Sequence, residues 1–294
     1  MRDESLILSF PDYLSPAQRL ADALDRPCAT VSLHRFPDGE SKLRLPAELP
    51  PHVVLCRTLD WPNDKLVELM LCARAARAAG VKHLTLVAPY LCYMRQDAAF
   101  HPGEIVSQRI VGEFLAGLFD TVITVDPHLH RVHHLHEAVP ARRTVSLSAG
   151  GLLAEFLRER LERPLLVGPD RESRQWVAHI AKEGGFDWII AHKNRLSDRA
   201  VEITLPDESV QGRTVVIVDD VASTGRTVAT AATVVKDRGA AAIHCAVTHA
   251  LFVDDAQEQL RAAGVEEIWS STSLLHPTNA VDLTDLLASA VLSD

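Results

Sequence analysis

The chain has 294 residues, 47% of them hydrophobic and spread evenly, with no long Ser, Gly or Gln tract; this excludes a largely disordered chain and suits two ordinary domains with apolar cores. Lys and Arg number 30 against 39 Asp and Glu, and the formal charge of -9 argues against nucleic acid as a partner while leaving a small anionic substrate open. The scattered cysteines (Cys28, Cys56, Cys72, Cys92, Cys245) form no CxxC pair, the start MRDESLILSF lacks the basic head and apolar run of a signal peptide, and no run of about 18 apolar residues follows, so a reduced, cytoplasmic protein without a membrane span is expected.

In chain order, the first feature is FPDGE at 36–40, a Pro-Asp-Gly turn between strands; Phe36 offers a face on which a purine could stack, with carboxylate and backbone groups to meet its polar edge. A helix follows, N-capped at Asn63, with Leu66, Leu69, Ala73 and Ala76 on one face and a stop at Gly80. The strand Leu84–Ala88 then runs into PYLCYMRQD and HPGEIVS, where the Arg95 guanidinium can offer planar donors to phosphate. TVITV at 121–125 ends in DPHLH, whose His128 could ligate a metal or hydrogen-bond a phosphate. His130, His133, His134 and His136 crowd the same stretch, either as a transition-metal site or as a polar loop.

The second half repeats the pattern from a boundary near residues 146–151. The strand LLVG at 165–168 leads into PDRESR, IIAHKNR at 189–195 is a strand with a basic end, and VVIV at 215–218 leads into DDVASTGRT. There Asp219 and Asp220 leave the sheet edge, able to hold the two ring hydroxyls of a ribose or a divalent cation. Residues 222–227 can wrap a phosphate: Gly225 permits close backbone approach, Thr224 and Thr227 offer hydroxyls, and the start of the next helix, with Val228, Ala231, Ala232 and Val235 inward, presents free N–H groups. Apolar Val/Ile/Leu runs alternating with helical segments predict α/β architecture, in two similar halves (1–147 and 148–294), each a mostly parallel sheet flanked by helices. Two loop-bearing strand ends fall in each half, and the chemistry is expected at these carboxyl ends, between the halves.

The segment VVIVDDVASTGRT resembles the phosphoribosyl pyrophosphate motif shared by type I phosphoribosyltransferases and ribose-phosphate pyrophosphokinases, and four further segments resemble the pyrophosphokinases alone, in particular their shorter archaeal-like members. FPDGE is similar to their adenine-binding hairpin, which implies that Phe36, Asp38 and Glu40 bind ATP and, since that hairpin serves a neighbouring subunit, a homo-oligomer, dimeric or dimer-based. By the same resemblance Arg95, Gln96 and Asp97 hold ATP, His128 sits beside Mg2+ and ATP, and Lys193 and Arg195 are the catalytic cations of a mobile loop. Asp170 would be associated with metal and ribose 5-phosphate, while Asp219, Asp220, Ser223, Thr224, Gly225 and Thr227 bind that sugar phosphate. The implied reaction transfers the β,γ-diphosphoryl group of ATP to the C1 hydroxyl of ribose 5-phosphate, with Mg2+, Lys193 and Arg195 neutralising the charge that develops.

The sequence departs from the family where Glu172 and Ser173 stand in glycine positions of the loop after LLVG, where Ala98 follows Arg-Gln-Asp, and at Ser223 and Arg226. A carboxylate beside a pyrophosphate repels it unless it turns away or binds a cation. Two other readings follow: a phosphoribosyltransferase, against which FPDGE and the N-terminal half speak, and a weakly active regulatory paralogue, which Glu172 and Ser173 favour.

Overall fold

The structure is a computed structural model and describes residues 5–195, 201–206 and 210–293, except for the side chains of 193–195 and 201–203. It divides into two compact units, residues 1–147 with 283–294, and residues 148–282. The last helix therefore packs with the first unit and not, as the sequence reading had it, with the second. It lies against the first helix of the chain, an apolar contact between elements some 260 residues apart, which no local pattern announces.

The first unit runs β1 (Ser5–Ser9), α1 (Leu14–Leu24), β2 (Cys28–Thr30), β3 (Ser32–Arg35), β4 (Ser41–Arg44), β5 (His52–Cys56), α2 (Pro62–Ala78), β6 (His83–Val87), α3 (Ser107–Ala116), β7 (Thr121–Val125), the short α4 (Leu135–Ala138) and β8 (Arg143–Leu147). Among the described residues β2-β1-β5-β6-β7-β8 form a wholly parallel sheet, while β3 and β4 make a separate antiparallel hairpin. Helices cover both faces, so the inner strands are buried at almost every position and not at alternate ones; β7 is buried along its whole length. Their core gathers Leu8, Val53, Leu55, Leu84, Leu86 and Val122 against Leu69, Cys72, Ala73 and Ala76 of α2.

The expected helix at 63–80 is α2, but it begins one residue earlier, with Pro62 at its first position and Trp61 as N-cap at φ 47°. Proline's fixed φ and missing N–H suit the first helical position, which leaves the Asn63 side chain to accept a hydrogen bond from the Tyr93 hydroxyl at 2.5 Å. The stop at Gly80 stands: its φ of 99° lets Val81 N–H reach back to the Ala76 carbonyl at 3.1 Å.

The second unit runs α5 (Gly150–Arg160), β9 (Leu165–Gly168), α6 (Arg174–Gly184), β10 (Asp187–Ile190), β11 (His192–Arg195), β12 (Val201–Thr204), β13 (Thr214–Ala222), α7 (Arg226–Asp237), β14 (Ala242–Ala250), α8 (Ala256–Ala262), β15 (Glu267–Ser271) and β16 (Asn279–Val281), and α9 (Thr284–Leu292) returns to the first. Its parallel sheet has the order β10-β9-β13-β14-β15-β16, and β11 pairs with β12 as an antiparallel ribbon. The two units thus share one topology. In each, the first strand lies between the second and the third, an antiparallel pair is inserted after the second strand, and the rest follow in sequence order. Strand order reverses between β1 and β5 in one unit and between β9 and β13 in the other, and loops leaving the carboxyl ends at such a point are where open α/β sheets bind ligands.

Candidate active site

At the reversal point of the second unit, β13 outruns its neighbour. Its pairing with β9 ends at Ile217, whereas β14 continues opposite it as far as Ala222. Asp219 and Asp220 therefore lie within the strand, which is longer than the four residues read from the sequence, because hydrogen bonds to β14 carry the extended backbone past the apolar run. Asp220 is buried, with its backbone N–H donating to Asp219 Oδ1 at 3.0 Å, and Asp219 keeps part of its surface open. Burial, then the charges of Asp220 and Asp170, push the Asp219 carboxyl well above the usual aspartate range. Asp170 comes from the loop after β9, so both loops at the reversal point bring carboxylates to one corner.

The turn after β13 opens α7. Its N-cap is Gly225, at φ 69°, where a Cβ would come 3.3 Å from the Ala256 carbonyl oxygen; a larger residue would be strained there twice over. From behind, the turn is pinned by the loop after β14, through Phe252 N–H to the Ala222 carbonyl at 2.9 Å and Val253 N–H to the Ser223 carbonyl at 3.0 Å. No side chain caps α7, and its first turn holds no acidic residue, so the helix start offers N–H groups and the positive end of its dipole to an anion. Thr224 is exposed there, with Ser223 and Thr227 half-buried beside it.

The loop from Gly168 to α6 is braced by its own side chains. Asp170 Oδ1 accepts from the Glu172 N–H at 3.0 Å and the Ser173 N–H at 3.4 Å, and the Ser173 hydroxyl donates to the Asp170 carbonyl at 2.7 Å. Ser173 is wholly buried against Gly168, where any Cβ would meet its Oγ at 2.4 Å. A serine in place of glycine is thus used to close the loop, and Glu172 stands exposed. Lys193 and Arg195 are on β11, opposite Ile203 and Val201 of β12; their side chains lie outside the described residues.

In the first unit three loops at strand ends carry the other expected residues. The β3–β4 hairpin closes with Phe36 N–H to the Glu40 carbonyl at 2.8 Å and Gly39 N–H back to the Phe36 carbonyl at 2.9 Å; Phe36 is 41% exposed, with His34 edge-on to its ring at 4.9 Å. Asp38 accepts from the Glu40 N–H at 3.2 Å, so it shapes the turn. After β6, Arg95 is exposed and Gln96 half-buried, and Gln108 at the start of α3 holds this loop, donating from its side chain to the Met94 carbonyl at 2.9 Å and from its N–H to the Gln96 carbonyl at 3.2 Å. The sequence reading missed Gln108, since nothing in HPGEIVSQ marks a buried amide that points back at Met94.

Asp126 leaves β7 at φ 38°, a costly conformation for aspartate that turns the chain sharply into Pro127 and the histidine loop. There His128 and His130 face each other through their Nε2 atoms at 2.5 Å. The Asp97 carboxylate pairs with Arg131, tying the loop after β6 to the loop after β7. His134 instead makes a capping box with Glu137 at the start of α4, which accounts for part of the histidine run as local structure.

The comparisons with known proteins follow this division. The model of the N-terminal domain of ribose phosphate pyrophosphokinase matches residues 6–118, and that of the phosphoribosyl transferase domain matches residues 143–272. A ribose-phosphate pyrophosphokinase of Methanopyrus kandleri is 36% identical over 289 residues, 97% of this chain and 98% of its own. The chain belongs to the ribose-phosphate pyrophosphokinase family. Another member, from Methanosarcina mazei, is 34% identical over 94% of this chain and 91% of its own. The crystal structure of phosphoribosylpyrophosphate synthetase from Mycobacterium smegmatis, 22% identical, matches the fold with a TM-score of 0.86 over 99% of this chain and 98% of that one. The archaeal likeness read from the sequence thus holds, and so does the expected α/β class of mostly parallel sheets flanked by helices, with a phosphoribosyltransferase-like domain. No helix among the described residues is long and apolar enough to cross a membrane.

Proposed function

We propose that this chain is an ATP-dependent ribose-phosphate pyrophosphokinase, making 5-phosphoribosyl 1-pyrophosphate and AMP from ribose 5-phosphate and ATP. The observation that carries the reading is the reversal point of the second unit, where Asp219 and Asp220 adjoin the uncapped start of α7 within a chain of this family. Asp219 and Asp220 accept from the two ring hydroxyls of the sugar, while the Ser223–Thr227 turn receives its 5-phosphate on N–H and hydroxyl donors. Phe36 stacks on the adenine, Asp38 and Glu40 shape and line the hairpin, Arg95 and Gln96 hold the triphosphate, and Asp97 acts by keeping the histidine loop in place through Arg131.

A carboxylate corner in which neighbours raise the Asp219 carboxyl has the hard oxygen donors and the excess negative charge that suit Mg2+. Asp170 would hold the cation on the sugar side, and His128 would stand beside the nucleotide's cation once its imidazole turns from His130. Bound there, Mg2+ supplies positive charge to the phosphate oxygens. The chain's own work is positioning: the C1 hydroxyl oxygen of the sugar forms a bond to the β-phosphorus, the bond from that phosphorus to the α-phosphate oxygen breaks, AMP leaves, and the hydroxyl proton is released. Lys193 and Arg195 would neutralise the charge that grows on transferred and leaving groups. The protein would work as a homo-oligomer in the cytoplasm, a setting in keeping with its five unpaired cysteines.

Titration calorimetry of ribose 5-phosphate tests the sugar site. Wild type should bind it, and Asp220→Asn should weaken binding by roughly tenfold or more for loss of a charged acceptor; equal affinity in the two proteins would remove Asp220 from the site.

A further inference from the structure

Among the described residues, the reversal point of the first unit holds no counterpart of the open carboxylate corner. Arg57, directly after β5, fills it: the side chain is 1% exposed, its guanidinium lies 3.8 Å from the centre of the Phe10 ring, and Nε bonds to Asp12 Oδ2 at 3.2 Å, both partners coming from the chain just after β1. Arg57 also pairs with Glu68 of α2, Nη2 to Oε2 at 2.6 Å, as a charge contact and not an aligned hydrogen bond. Glu68 is fully buried. A second cation, Lys65, joins Asp12 at 3.2 Å to Asp60 at 2.6 Å and the Thr58 carbonyl at 3.0 Å.

The other carboxylate oxygen of Glu68 faces the hairpin. Oε1 accepts from the Ser41 hydroxyl at 2.7 Å and from Arg35 Nη2 at 3.2 Å. Arg35 and Ser41 are paired across β3 and β4, and they are the residues on either side of Phe36–Glu40. One buried carboxylate thus grips both strands of the hairpin at the last rung before its tip, while its other oxygen is fixed to the sheet through Arg57. Such a grip is needed because this hairpin belongs to neither six-stranded sheet, and a two-stranded ribbon alone is marginal in water.

We infer that Glu68, held by Arg57, is a positioning residue for the nucleotide: it fixes the hairpin so that Phe36 meets the adenine at a set place and sets the affinity for ATP without touching it. The inference rests on the nucleotide role of the hairpin proposed above. In the duplicated topology, the place that binds the sugar phosphate in one unit is spent in the other on aiming a nucleotide-binding ribbon.

Glu68→Ala would take from the buried Arg57 its fully buried partner, leave Asp12 alone against that charge and endanger the fold, so the test cuts on the hairpin side, where Arg35 is half exposed. In the double variant Arg35→Ala/Ser41→Ala, steady-state kinetics should show the KM for ATP raised about tenfold, with kcat and the KM for ribose 5-phosphate within about twofold of wild type. Restoring the hydroxyl, as Arg35→Ala/Ser41→Thr, should recover part of the loss, and Glu68→Gln should also raise the KM for ATP. Phe36→Ala is measured alongside. If Phe36→Ala raises the KM for ATP and the double variant does not, or if the double variant loses only folded protein with KM unchanged, the clamp is structural and the inference fails. If Phe36→Ala itself leaves the KM for ATP unchanged, the hairpin does not hold the nucleotide, and the inference falls with that reading.

Discussion

The side chains proposed to hold the sugar crowd like charges together before any ligand arrives. Asp219, Asp220 and Asp170 share one corner, and burial together with the neighbouring charges raises the Asp219 carboxyl. A group whose pKa is raised on folding loses stability as pH climbs above its unfolded value, so at neutral pH the crowded corner costs stability that the ligand or a cation would return. Asp219→Asn should therefore raise the melting temperature of the ligand-free protein at pH 7, by roughly 2–4 °C for about 1 kcal/mol in a protein of this size, while weakening ribose 5-phosphate binding. Calorimetric melting of both proteins checks it; a lower melting temperature would show that the corner is not repulsive. The proposed site is legible in the sequence because two acids, a Ser-Thr-Gly turn and a helix start are consecutive. Asp97 was legible only as part of a motif: its pairing with Arg131 depends on how two loops 34 residues apart are set side by side, and no local pattern carries that. Ser173 shows a third case, since a departure from the family's glycine reads as a defect until its hydroxyl is seen closing the loop.

At the scale of elements, the apolar runs located the strands but not their ends. Strand β13 runs through two aspartates because β14 supplies ladder partners there, and α2 starts at Pro62 because a proline at the first helical position outweighs asparagine capping one residue on. Strand ends also have to be held together, and Asp120 does this just before β7. It accepts from Arg77 of α2 at 2.5 Å and from the Leu84 N–H of β6 at 2.8 Å. Burial works to raise its carboxyl, but these two hydrogen bonds and the Arg77 charge outweigh burial and hold it below the usual aspartate value. A carboxyl lowered on folding gives its stabilisation above its unfolded pKa and loses it as pH falls through the folded one. Asp120→Asn should thus melt below wild type at pH 7, by roughly 2–4 °C for a partly buried pair worth about 1 kcal/mol, with the gap closing below about pH 3.8. A gap that stays constant with pH would mean that Asp120 acts by shape alone.

For the molecule as a whole, the repeated topology gives weak motifs in fixed order a common frame: loops at carboxyl ends of strands carry the proposed site residues in both units, after β6 and β7 in the first and after β9 and β13 in the second, and the inserted antiparallel pair contributes in each. It was only partly visible beforehand, because the halves share strand order and insertion point, which pairing reveals, and little sequence. The swap of α9 into the first unit was invisible for the same reason. Reading the chain as a pyrophosphokinase makes one demand that neither a transferase nor a simple kinase meets. Phosphorus NMR of the purified protein with ATP, ribose 5-phosphate and Mg2+ should show AMP and 5-phosphoribosyl 1-pyrophosphate rising in equal amounts, with no ADP. If ADP and a ribose bisphosphate appear, or ATP stays intact, the central claim is contradicted.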